Sequence, residues 1–76
     1  MDRIEQLRKM IGWDVTVVCD GRETGYRTYI TGTLREDQGM FELWYRDQRI
    51  YQFKAEIIDC VNDTPGYRPA LFTKTC

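Results

Sequence analysis

The sequence predicts a mainly β domain: an N-terminal α-helix, then five short strands that bend into a small barrel, then a C-terminal tail. Three observations predict it. Between Asp14 and Val61, apolar and polar residues alternate in short runs, the period of half-buried strands. Turn signals separate the runs at Asp20-Gly21, Asp37-Gln38-Gly39 and Asp47-Gln48. Gly32 falls inside the longest run, where a strand must bend to curl through both halves of a barrel.

The 76 residues make one domain, read as a helix-plus-barrel unit over 1–63 and an extension over 64–76. A chain of this size buries only about 60% of its unfolded surface, so self-association is expected. The ten aromatic residues and 42% hydrophobic content exclude a disordered chain. A net charge of −1 provides no global attraction to nucleic acid or to an acidic membrane. Eight of the eleven basic residues are Arg, however, and a guanidinium can fork onto phosphate or stack on a base.

The helix is expected from Asp2, whose spacing to Glu5 matches a capping box. Ile4, Leu7 and Ile11, with Met10 beside them, make its apolar face. Gly12 ends it as a residue able to take positive φ. Arg3, Arg8 and Lys9 offer an alternative use of its polar face, in an interface or on RNA. Trp13 is expected to wedge the helix against the barrel mouth.

The first strand runs from Asp14 to Cys19, with Val15, Val17 and Cys19 on one face. Val18, on the other face, implies that this side is not fully solvated. The loop through Arg22, Glu23, Thr24 and Gly25 is longer than a two-residue hairpin turn, and its backbone donors could meet an anion. The second strand, Thr28 to Arg35, turns Ile30 and Leu34 inward and Tyr29 and Arg35 outward. The third, Met40 to Arg46, places Phe41 and Leu43 in the core and leaves Trp44 outside, near Arg46. In the fourth, Arg49 to Phe53, Tyr51 and Phe53 share a face. Lys54-Ala55-Glu56 makes a tight turn into the last strand, which ends at Val61 before Asn62-Asp63-Thr64-Pro65-Gly66. The apolar Ala70-Leu71-Phe72 implies that the tail docks, on its own subunit or on another.

The order of parts resembles the Sm-like family of small, SH3-like β-barrels, which includes the bacterial Sm-like RNA chaperones. The resemblance covers roughly residues 4–61. It is carried by Val15, Val17, Asp20, Gly21, Ile30, Gly32, Leu34, Asp37, Phe41, Leu43, Ile57, Ile58 and Val61. It implies a five-stranded, strongly bent open barrel, rings closed by pairing of the fourth and fifth strands of neighbouring subunits, and single-stranded RNA as ligand. The family's usual RNA-contact motifs are missing. Lys54-Ala55-Glu56 stands where other members carry Arg-Gly or Tyr-Lys-His.

No catalytic constellation is present. The chain has no His and no Ser, and its carboxylates are scattered. Cys19, Cys60 and Cys76 have no metal-ligand spacing, so neither a metal nor a cofactor is expected. Cys19 and Cys60 read as small core residues and Cys76 as a free thiol, which suits a reducing compartment. With no signal peptide and no membrane span, the sequence points to the cytoplasm.

A binding role rests on aromatics and arginines that a small barrel cannot bury. The candidate contact residues are Arg22, Arg27, Tyr29, Arg35, Trp44, Arg46, Arg49 and Tyr51. Three functions fit them: a non-enzymatic module acting through homo-oligomerisation and partner-protein contacts, a single-stranded RNA or DNA binder, and a protein that sequesters a nucleotide or small ligand at a subunit junction.

Overall fold

Asp2 opens the chain's helix, α1 (Arg3–Arg8), in the computed structural model, which describes residues 2–21 and 25–73. The Asp2 carboxylate accepts a hydrogen bond from the Glu5 backbone N–H at 2.8 Å, so the cap forms as its spacing predicts. Gly12 has φ +90°, the left-handed conformation that releases the chain into the sheet. Only part of the expected apolar face is buried. Leu7 and Met10 enter the core, while Ile4 and Ile11 stay more than 40% exposed. Six residues make fewer than two turns, too short for a stripe from Ile4 to Ile11 to face one core.

Six strands follow: β1 (Asp14–Gly21), β2 (Tyr26–Asp37), β3 (Met40–Tyr45), β4 (Gln48–Phe53), β5 (Ile58–Asn62) and β6 (Ala70–Thr73). A 3₁₀ turn over Ala55–Ile57 joins β4 to β5. The sheet order is β4-β3-β2-β1-β6-β5, so a five-stranded barrel is not what forms. The sheet is open and mixed. Its edges, β4 and β5, do not pair with each other. The expected extension supplies the sixth strand, which pairs parallel to β1 and antiparallel to β5. The Thr16 N–H donates to the Pro69 carbonyl at 3.0 Å and starts that parallel ladder. Leu71 is attractive there because it lies opposite Val17 and Val61, and all three are apolar.

One core lies inside the curl of the sheet. Leu7, Met10, Val15, Val17, Leu34, Phe41, Leu43, Phe53, Ala55, Ile58 and Leu71 fill it. Val18, on the other face, is also buried, paired in register with Tyr29 and Phe72. At Gly32 an added Cβ would lie 2.8 Å from the Trp44 carbonyl oxygen. The glycine is therefore required by close approach of β2 and β3. Trp13 does not wedge the helix; the residue is 52% exposed. Its backbone does the joining instead, because the Trp13 carbonyl accepts from Leu34 N–H while Gly12 N–H donates to the Leu34 carbonyl.

Two register shifts re-aim side chains that simple alternation places wrongly. Between β5 and β6, Ile58 opposes Thr73 while Cys60 opposes Phe72. Asp59 is thus the extra residue, and Cys60 turns outward as an exposed, free thiol. The Arg3 guanidinium caps this irregularity by donating to the Asp59 carbonyl at 2.8 Å. Cys19 is buried as expected, but it is disulfide-bonded, so three reduced thiols are not what the chain holds. Cys76 lies outside the described residues. No helix among the described residues is long and apolar enough to cross a membrane.

Candidate functional site

The outer face of β2, β3 and β4 carries a polar cluster centred on Glu42. Arg35 and Glu42 are directly opposite in the β2–β3 register, and Trp44 lies two residues along β3 on the same face. The second register shift brings in the fourth member. Leu43 opposes Tyr51 but Trp44 opposes Arg49, which leaves Ile50 as the extra residue. Without it, strict alternation would put Arg49 on the face of Tyr51 and Phe53.

Each oxygen of the Glu42 carboxylate has its own donor. The Trp44 indole N–H donates to Oε1 at 2.9 Å, and Arg49 donates to Oε2 at 3.0 Å. The Arg35 guanidinium lies over the Trp44 ring, 4.7 Å from its centroid. Glu42 is only 4% exposed despite its outward position, because these neighbours cover it. The indole hydrogen bond first, and then Arg49, hold its carboxyl below the usual carboxylate range.

This has a consequence for stability. A carboxylate with a depressed folded-state pKa stabilises the fold above its unfolded pKa, about 4.3 for Glu, and that contribution disappears as pH falls through the folded value. Glu42→Gln is expected to be less stable than the natural chain at pH 7. Its urea midpoint should approach that of the natural chain below about pH 4. Parallel midpoint curves from pH 7 to pH 2 would rule out this role for Glu42.

The other candidate residues are dispersed. Tyr29 is 63% exposed and Arg27 is exposed, both on the opening half of β2. Tyr29 and Arg35 are six positions apart on that strand, roughly 20 Å. Tyr51 faces the other way; it packs against the core and stacks on Phe53 with centroids 5.6 Å apart. Arg22 lies outside the described residues. On the helix, Arg3 and Arg8 are engaged within the fold, Arg8 by a two-point contact with Glu36 starting at 3.0 Å.

Arg46 belongs to a different place. It sits in the two-residue β3–β4 turn, where Arg46 and Asp47 have φ of +50° and +63°. Both central residues are left-handed, as a twisted hairpin of this length demands. Its guanidinium lies 5.3 Å from the centroid of the Tyr45 ring. There it borders a groove of about 390 Å³, whose lining comprises Asp14, Thr31, Gly32, Thr33, Trp44, Tyr45, Arg46 and Arg68. Two of its lining residues are joined: the Thr33 hydroxyl donates to Asp14 at 3.1 Å.

Sequence reasoning missed Glu42, Asp14 and Arg68. For Glu42 a signal existed: it shares a strand face with Trp44 at a spacing of two, between arginines on both neighbouring strands. For Arg68 none existed, since the path of the β5–β6 loop depends on where β6 docks. Among the described residues, no group of three or more Cys, Asp or Glu is placed to hold a metal ion. No protein family, curated protein or solved structure matches this chain.

Proposed function

We propose that this chain is a non-enzymatic, Sm-like module that assembles with copies of itself and binds other macromolecules. One observation carries the reading: the sheet ends on two strands, β4 of six residues and β5 of five, each with a strand partner on one side only. An open edge is a row of backbone donors and acceptors ready to pair with another chain. In the resembled family these are the two strands that join neighbouring subunits. The order of parts supports the reading too: an opening helix, a long second strand closely approached by β3 at Gly32, and a 3₁₀ turn between the fourth and fifth strands. Ile50, on the β4 edge, is 42% exposed and offers such a junction an apolar contact. A chain lacking both His and Ser offers little for acid–base or nucleophilic catalysis.

Single-stranded nucleic acid is the second reading. It is favoured by the exposed Tyr29 beside Arg27, a ring able to stack on a base next to a cation. The Trp44 ring is a poorer platform because Arg35 already covers one of its faces.

Light scattering on the eluted protein tests assembly. The natural chain is expected to elute as a closed multimer whose melting temperature rises with protein concentration, and Ile50→Lys with Gln52→Lys as a folded monomer whose melting temperature does not. Charges on a sheet edge block pairing between chains, and surface changes cost within about 0.5 kcal/mol. A natural chain that is monomeric at about 100 μM, far above the Kd of a nanomolar assembly, overturns the reading. If that monomer also binds oligonucleotides with steep salt dependence, the second reading replaces it.

A further inference from the structure

We infer that the groove bordered by Tyr45, Arg46 and Arg68 is a binding site for a small phosphomonoester, a sugar phosphate or nucleoside phosphate. The inference goes beyond assembly and does not depend on it. The groove, at about 390 Å³, is the size of a small-molecule site and too small for a folded partner.

Its charge decides the class of ligand. Two guanidiniums and one carboxylate line it. Among the described residues the ion-paired arginines are Arg8 and Arg49, each held by a glutamate, and neither borders the groove. Arg46 and Arg68 thus bring two guanidiniums outside those ion pairs to one cavity, against the single carboxylate of Asp14. A phosphate monoester near neutral pH carries close to two negative charges and offers three acceptor oxygens, which matches two forked donors. Asp14 spends one oxygen on the Thr33 hydroxyl, and its second oxygen can accept from a sugar hydroxyl. Tyr45, 55% exposed, supplies an aromatic wall for the carbon skeleton. Arg46 is held at the groove in a left-handed conformation unusual for a residue with a side chain.

Calorimetric titration of the full chain at low salt tests the inference with four probes: adenosine 5′-monophosphate, ribose 5-phosphate, adenosine and inorganic phosphate. At least one ester is expected to bind saturably, and at least about ten-fold tighter than adenosine or inorganic phosphate, since a charge-assisted hydrogen bond is worth that much or more. Equal binding of the two esters assigns recognition to the sugar phosphate; tighter binding of the nucleotide adds its base on Tyr45. Arg46→Ala and Arg68→Ala should each weaken binding at least about ten-fold, while Lys54→Ala, an exposed change outside the groove, leaves it unchanged. Circular dichroism of each variant confirms that these exposed changes spare the fold. The site is ruled out if neither ester binds below about 10 mM, if adenosine or inorganic phosphate binds as well as the esters, or if binding survives both groove substitutions. Light scattering on the same samples reads assembly separately, so failure here leaves the assembly reading standing.

Discussion

A chain ending at Pro69 should lose its cooperative fold, and Leu71→Ala alone should cost about 2–5 kcal/mol. Strand β6 is the reason. It lies between β1 and β5, so its removal strips a ladder from each of them and leaves β5 with no partner strand in the sheet. It also carries Leu71, which is fully buried against Val17 and Val61. Small domains are stabilised by roughly 5–15 kcal/mol in all, and one of 76 residues belongs near the lower end. Losing a whole strand exceeds that margin. The point substitution is the cleaner probe because chain length and both ladders remain. Its urea midpoint should fall with the slope unchanged. A truncated chain that still unfolds cooperatively, with native near-ultraviolet dichroism, would show that residues 70–76 are an appendage after all.

Gly32→Ala is the second substitution with a large expected effect, and its sign is diagnostic. Replacing glycine by alanine at an unstrained site stabilises a protein by about 0.4–1 kcal/mol, because the unfolded chain loses freedom. Here the new Cβ would meet the Trp44 carbonyl oxygen at 2.8 Å, with Leu43 Cβ and the Trp44 nitrogen at 3.2 Å. Two of those three atoms belong to the backbone of β3 and cannot rotate away. Overpacking of this kind costs about 1–3 kcal/mol, so destabilisation should win. Gly32→Val should cost more. The clash also displaces Trp44, so the contacts of its ring with Arg35 and of its N–H with Glu42 should weaken together. A Gly32→Ala chain as stable as the natural one would mean that β2 and β3 can separate at no cost.

Gly32 shows what kind of feature can be read from a sequence. A glycine interrupting a β-branched run has few explanations, and close backbone approach is one of them. The Asp2 cap, the Asp37-Gln38-Gly39 hairpin and the burial of Val15, Val17, Leu34, Phe41 and Leu43 were legible for a similar reason. Each depends on residues within a few positions of one another, or on a period of two that no other strand needs to endorse. The candidate site was legible in fragments. Outward placement of Arg35 and Trp44 followed from alternation, but their union with Arg49 did not. That union needs Ile50 to bulge, and a bulge reflects competition between two strands over register. The same competition at Asp59 turned Cys60 out of the core, where its pattern had placed it. Glu42 was passed over because a carboxylate on an outward position looks solvated until its neighbours are known.

The sequence by itself determined the elements: one short capped helix, strands at their places along the chain, the glycine where β2 and β3 approach closely, and a shared apolar face. Tertiary structure alone decided that the tail becomes a strand, that the sheet ends on β4 and β5, and that Arg46 and Arg68 border one groove. The division has a physical cause. Helix caps, turns and side-chain alternation arise from forces between near neighbours in the chain. Docking β6 beside β1 joins residues more than fifty positions apart, and it is chosen by comparing every apolar strand that might bury Val17. No local pattern contains that comparison.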